Sequence, residues 1–284
     1  MKRVRLKEFF GFWFLRACFG TVVLALCVIL CDIIVKGHGR ISWEFLTTAP
    51  KNGMTEGGIF PAIAGTFLVT LITAVLAVPL GMGCAIYLNE YATDTILNRA
   101  IRMSIRNLSG VPSIVYGLFG VILFVQMMKF GTCVLSAGLT LGMMTLPWTI
   151  TSSEEALKNV PKSYRDGSLA LGATKWQTIK TNVLPYAVPG MLTGTILGLS
   201  RAAGETAPIL FTGAAFFLPH TPGSVFDQFM ALPYHLYIMS TQHHAITKVR
   251  PIAYGTALTL IALIFLINLS AVIMRYHLRK LKTE

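Results

Sequence analysis

Charged side chains are scarce in this sequence and acidic ones scarcest, with 12 Asp and Glu against 24 Lys and Arg and a charged fraction of 13% over 284 residues. Soluble domains carry about a quarter, so composition excludes a soluble globular chain. Cysteine is sparse as well. The five present, Cys18, Cys27, Cys31, Cys84 and Cys133, fall in or beside apolar runs, which excludes a disulfide-stapled secreted module. Cys27 and Cys31 stand one helical turn apart and read as packing residues rather than metal ligands. A nucleotide-binding loop is missing too. The pattern G-x-x-x-x-G-K-[ST] is approached only at Gly167 and Gly172, and Ala173 stands where the phosphate-binding Lys is needed. No catalytic set is visible, so the chain is expected to be no enzyme, to hydrolyse no ATP, and to bind no cofactor or metal itself.

What is abundant is apolar surface. Hydrophobic residues make up 54% of the sequence, the mark of a polytopic membrane protein. A helix crossing a hydrocarbon core about 30 Å thick needs roughly 20 mostly apolar residues. Six segments meet that demand, at 17–35, 59–88, 111–128, 132–153, 186–217 and 252–274, so the fold class expected is all-α. Asp32 is the one charge of the first span and sits near its end. Pro79 is a candidate kink in the long second span. The third and fourth spans form a hairpin across Lys129-Phe130-Gly131, and the fifth is interrupted by Arg201, Glu205 and Pro208. The basic amino-terminal cluster before the first span has the order of a signal peptide. Its apolar run is of full-span length without a small-x-small site before Lys36, so it reads as a retained anchor. Met127-Met128 and Met143-Met144 read as adaptable packing within spans.

Lys and Arg accumulate in short cytoplasmic loops. They concentrate at Lys2, Arg3, Arg5 and Lys7, at Arg99, Arg102 and Arg106, at Lys158, Lys162, Arg165, Lys175 and Lys180, and at Arg275, Arg279, Lys280 and Lys282. The alternate connections hold only Lys36, Arg40, Lys51, Lys129, Lys248 and Arg250. This asymmetry predicts cytoplasmic termini at both ends. The net charge of +12 then reflects topology and attraction to anionic membrane lipid, not a nucleic-acid footprint. Asn107-Leu108-Ser109 fits a glycosylation pattern but falls on the predicted cytoplasmic side, where it carries no information.

One compact polar stretch interrupts the oil, residues 164–176, continued to Leu184-Pro185. Ser163 with Asp166, and Thr174 with Gln177, have capping-box spacing, and Gly172 between them suits a left-handed cap. Two short helices at an angle are predicted. They expose Leu169, Leu171 and Trp176 among charges, the composition of a protein-binding surface; an amphipathic loop on lipid headgroups is the alternative. A second polar feature lies inside the fifth span. Arg201 stands some fifteen residues in, near mid-depth at about 1.5 Å per residue, where a charge usually serves a pathway or a pair. Glu205 follows one turn on, on the same face, with small Ala202, Ala203 and Gly204 between them. The pair either neutralises itself or leaves Arg201 free to attract an oxyanion, because a guanidinium fork matches phosphate.

Asp166-Gly167-Ser168, Gly172 and Leu184-Pro185 resemble the cytoplasmic loop signature of permease subunits of ABC importers, written EAA, three residues, G, nine residues, I, one residue, LP. Gly172 and Leu184-Pro185 match, whereas Asp166, Gly167, Ser168 and Asn182 depart from the pattern. The run from Ser200 to Leu210, with GETAP at Gly204-Glu205-Thr206-Ala207-Pro208, is similar to the A-type permease family of phosphate-specific ABC transporters. So are Gly58-Ile59-Phe60-Pro61-Ala62-Ile63 and Tyr87-Leu88-Asn89-Glu90-Tyr91. The likeness runs from about Gly57 to the last span.

This resemblance implies a six-span, MetI-like permease core in a bacterial cytoplasmic (inner) membrane. Residues 1–56 would hold the amino-terminal segment, first span and outer loop, 57–276 the permease domain, and 277–284 a cytoplasmic tail. Coupling helices at about 161–185 would seat in a cytosolic ATPase dimer that uses ATP and Mg. Arg165, Asp166, Gly167, Ser168, Gly172, Ala173 and Trp176 are the coupling candidates. Arg201, Glu205 and Thr206 are the translocation-path candidates. The further partners implied are a homologous C-type permease and an extracytoplasmic phosphate-binding protein. His220, His235, His243 and His244 fall in the connection between the fifth and sixth spans, expected to be a solvated loop touching that binding protein rather than a zinc site. Two rival readings remain open: a permease for another oxyanion such as sulfate or molybdate, and a membrane sensor in which the Arg201–Glu205 pair is static.

Overall fold

The computed structural model describes residues 2–280, with side chains described over 11–277. Of the predicted tail, 281–284 lie outside the described residues, as do the side chains of Lys2, Arg3, Arg5, Lys7, Arg279 and Lys280. The first helix, α1 (Lys2–Gly37), contains an apolar stretch that touches the rest of the chain almost only near its end. A short helix α2 (Trp43–Thr47), capped by the Ser42 hydroxyl, and a two-residue hairpin, β1 (Pro50–Lys51) with β2 (Glu56–Gly57), lead into α3 (Phe60–Ile86). Helix α3 has Pro61 in its first turn, where no N–H donor is needed, carries Pro79 inside, and widens into a π-helical turn at Tyr87–Tyr91.

The third span takes an indirect course. Helix α4 (Ile96–Leu108), capped by Thr95, meets α5 (Ser113–Gly120) at a bend of 103°, and α5 runs on as a π-helical segment to Met127. Pro112 sets the bend, because it cannot donate to a continuing helix and pushes the preceding residue away from helical geometry. Helix α4 alternates Arg99, Arg102 and Arg106 with Leu97, Ile101 and Leu108, so it is amphipathic rather than spanning. The predicted hairpin follows, with positive φ at Lys129 and Gly131. Helix α6 (Val134–Lys158) then packs along α3 more extensively than any other helix pair does. Gly138 permits that approach, since a Cβ there would lie 2.5 Å from Ile72 Cγ2.

Two short helices, α7 (Lys162–Ala170) and α8 (Lys175–Thr178), form the predicted polar knob. The second capping box is present: Gln177 N–H donates to the Thr174 hydroxyl and Thr174 N–H to the Gln177 side chain, with Gly172 at φ +83° between the helices. The first is not. Pro161 is the N-cap of α7 and Ser163 lies within its first turn, because the fixed φ of proline already starts the helix. From α8 a π-helical turn at Ile179–Val183 runs into α9 (Leu184–Ala203), making one span of Lys175–Ala203. The fifth span therefore stops at Ala203 and does not extend to 217. Gly204 caps it, and the turn 204–206 separates it from α10 (Ala207–Thr212), where Pro208 begins a new helix.

The segment after α10 is the solvated loop expected only in part: most of 216–228 is exposed, and the chain is buried from Phe229. Thr212, Val225 and Asp227 turn carbonyls onto the first N–H groups of α6, satisfying donors that a helix start leaves open. Helix α11 (Leu232–Thr241) then packs against α3 and against α12 (Ile246–Lys280), the last described element. Phe229, Leu232, Ile238 and Met239 of this region join Phe45, Met54 and Ile59 in the larger core. The apolar residues of 229–239 show no clean period, and a short element buried on nearly all sides needs none. His235 and His243 are buried with it. His243 donates from Nε2 to the Gly53 carbonyl and accepts the Ala245 N–H at Nδ1. Both nitrogens of His235 lack a partner, and burial, aided by His243, pushes its pKa down to about 4.

Among the described residues five helices are long and apolar enough to cross a membrane, or six where the bent pair α4–α5 is counted as one span. The chain is thus an all-α, multi-pass membrane protein. Helix α1 meets α12 where the Tyr254 hydroxyl donates to Asp32 at 3.2 Å, beside an Asp32–Lys36 ion pair of 2.6 Å within α1 itself.

Candidate functional site

Arg201 stands in the last turn of α9, and Glu205 lies past the helix end, where its N–H closes a turn onto the Ala202 carbonyl. The two are not stacked on a continuous helix as predicted, yet they still meet: Arg201 Nε is 3.5 Å from Glu205 Oε1. The environments differ sharply. The Arg201 side chain is 65% exposed and that of Glu205 only 18%. Glu205 lines a narrow crevice together with Thr66 and Thr70 of α3 and Ala203 of α9. Arg201 opens toward a crevice of about 30 Å³ bordered by Ser109, Tyr116, Thr145 and Trp148. Thr145 and Trp148 sit halfway along α6, which places the guanidinium at mid-depth of the helix array. Thr206, half-buried, is the N-cap of α10 without a side-chain cap bond.

The frame around the guanidinium is fixed by hydrogen bonds from neighbouring helices. Ser200 donates to Asn268 Oδ1 at 2.8 Å, tying α9 to α12, and Trp148 Nε1 donates to the Gly194 carbonyl, tying α6 to α9. Tyr116 donates to the Leu108 carbonyl and holds the α4–α5 elbow beside the crevice. The sequence reading missed this elbow. Its signal was present as Ser109, Gly110 and Pro112 clustered at the mouth of an apolar run, the composition of a chain break.

At the opposite end of the array the predicted coupling residues divide into two groups. Asp166, Gly167, Gly172 and Trp176 are exposed, and Leu171 between the two short helices is 91% exposed. Ala173 and Ser168 are half-buried, and Ser168 accepts from the Thr178 hydroxyl, bracing α7 against α8. Arg165 faces inward. Its guanidinium forks onto Glu90, with Nη2–Oε1 at 2.7 Å and Nε–Oε2 at 3.2 Å, and donates to the Leu157 and Val160 carbonyls at the end of α6. Among the described residues no group of three or more His, Cys, Asp or Glu could hold a metal.

Comparison with known proteins gives this arrangement a context. Residues 77–283 match the family described as binding-protein-dependent transport system inner membrane component. The phosphate transport system permease protein PstA 1 of Mycobacterium tuberculosis (strain CDC 1551 / Oshkosh) is 34% identical over 96% of this chain and 90% of its own length. A probable phosphate transport system permease protein PstA of Methanocaldococcus jannaschii is 33% identical over 86% of this chain and 84% of its own. Among solved structures, the fold is similar to that of a bacterial ABC transporter involved in the import of the acidic polysaccharide alginate. That likeness has a TM-score of 0.67 at 13% identity and covers 93% of this chain and 96% of the other. The family match over most of the chain, the membrane-spanning helices and the exposed two-helix knob agree, and the chain belongs to the binding-protein-dependent transport system inner membrane components, permease subunits rather than enzymes.

Proposed function

We propose that the chain is the A-type permease of an ATP-driven importer that carries inorganic phosphate across the cytoplasmic membrane. The observation that supports this most is the exposed Arg201 at mid-depth. A guanidinium open to one side of a membrane helix array is costly against lipid, so it calls for a water-filled passage or a partner subunit there. Its fork suits a phosphate oxyanion, and Glu205 at 3.5 Å competes for it, which keeps binding weak enough for release. The relatives named as phosphate permeases supply the substrate class.

In this reading both termini and the 162–183 helices are cytoplasmic, in keeping with the Lys and Arg bias. The exposed Leu171 and Trp176 face a cytosolic ATPase dimer, which uses ATP and Mg. A homologous C-type permease closes the open side of Arg201. The α11 end meets an extracytoplasmic phosphate-binding protein, and anionic lipid surrounds the basic cytoplasmic rim. ATP-driven closure of the ATPase moves the knob and opens the passage outward, and hydrolysis resets it, driven by the differential affinity of the partners for the two states. The test is binding-protein-dependent uptake of radiolabelled phosphate into vesicles holding the whole complex, with sulfate as competitor. Phosphate uptake insensitive to sulfate is expected. An assembled complex that takes up no phosphate would overturn the assignment.

A further inference from the structure

Three contacts converge on the π-helical turn Tyr87–Tyr91 that ends α3. Glu90 accepts the two-pronged Arg165 guanidinium of α7, and one of its oxygens also accepts the Asn89 amide at 2.7 Å. Both charges are largely withdrawn from solvent, with side-chain exposures of 21% for Arg165 and 7% for Glu90. Two residues before Glu90, the Leu88 carbonyl accepts from Arg102 of α4, and the same guanidinium pairs with Glu154 of α6. Next to Glu90, the Tyr91 ring lies 5.1 Å from the Lys175 ammonium of α8. One turn of helix is therefore gripped from α7 and α8 on one side and from α4 and α6 on the other.

Helix α4 leads away from this grip toward the functional site. From Arg102 it runs less than two turns to Leu108, roughly 9 Å at the helical rise, and Leu108 and Ser109 border the crevice of Arg201. A buried ion pair adds little net stability compared with apolar packing, and its best-attested use is to fix a register or a switch. π-Helical turns likewise occur mostly at functional sites. Both features coincide at Glu90.

We infer that the Glu90–Arg165 clasp is a positioning pair that converts displacement of the α7–α8 knob into movement of α4 and of the elbow beside Arg201. This rests on the reading of the knob as the ATPase docking element. Neither Glu90 nor Arg165 contacts the transported anion in this scheme. They set how much transport follows from each ATP, through a contiguous set of side-chain contacts between two sites.

The measurement is phosphate taken up per ATP hydrolysed, in vesicles holding the complete complex and binding protein. A wild-type complex showing no phosphate-coupled hydrolysis overturns the functional reading itself, before any variant is compared. With coupling present in wild type, Glu90→Gln should assemble and hydrolyse ATP within about twofold of wild type while the ratio falls roughly tenfold. The double exchange Glu90→Arg with Arg165→Glu should restore most of the ratio. If Glu90→Gln fails to assemble, Glu90→Asp, which keeps the charge but shortens the reach, should lower the ratio in its place. An unchanged ratio in whichever of these variants assembles overturns the clasp. So does an equal loss in Arg99→Ala, which removes an exposed pair between α4 and Asp94 just before it.

Discussion

The two ends of this helix array are held by different chemistry. At the α11 end, Phe229, Met230, Leu232 and Ile238 are buried together with Met54 and Ile59, and the Leu232 N–H that opens α11 donates to the Thr66 hydroxyl at 2.8 Å. At the α7–α8 end a smaller apolar cluster around Leu157, Val183 and Met191 is overlaid by two withdrawn Arg–carboxylate pairs. Apolar packing is dense, and a change of volume in it is felt as lost stability. Charge pairs are directional and can be exchanged or broken. The contrast assigns stability to one end and transmission to the other, with Arg201 between them.

That contrast can be broken by deletion in the sealed end. Phe229→Ala, at a fully buried position, should cost roughly 3–5 kcal/mol of stability. Thermal melting of the purified protein would show it, while phosphate per ATP in the surviving complex stays unchanged. A loss of coupling ratio instead would place transmission at the wrong end.

Acid should sharpen the same contrast. The fold favours neutral His235, holding its pKa at about 4 against an ordinary 6.5. Its contribution is therefore complete above pH about 6.5 and declines as pH falls toward about 4, by about 2 kcal/mol between neutrality and pH 5. Melting at pH 7 and pH 5 should differ in wild type by more than in His235→Gln. Equal acid sensitivity would show that His235 is not the titrating group.

Between the ends, Gly138→Ala should destabilise by roughly 1–3 kcal/mol, since its Cβ would press on Ile72. Melting of the variant alongside wild type checks this, and a stability equal to wild type would mean that α3 and α6 can separate freely. The smallest effect is expected at Arg99→Ala, whose partner Asp94 is 75% exposed. Melting and uptake should both match wild type, because exposed pairs contribute little.

The sequence made much of this legible, for stated reasons. Span composition located the crossings, and Thr174, Gln177 and Gly172 specified the turn between α7 and α8 because capping and left-handed geometry depend on local residue type. Elements whose form depends on distant packing were not legible. Helix α11 is shaped by burial on α3 and α12, and the inward turn of Arg165 depends on Glu90, which lies far from it in sequence but adjacent in the fold. The end of α9 at Ala203 was written locally, in Gly204 and Pro208, but the apolar residues that follow resemble a continuing span. Arg201 and Glu205 were paired by sequence spacing. Their unequal exposure, which makes Arg201 the member open to an anion, required the fold.

The most direct measurement compares binding-protein-dependent phosphate uptake by fully assembled wild-type and Arg201→Ala complexes. The account predicts that uptake falls roughly 10- to 100-fold on losing a charge-assisted contact, with assembly and basal ATP hydrolysis retained. Uptake at the wild-type rate in the assembled variant would contradict a role for Arg201 in the passage.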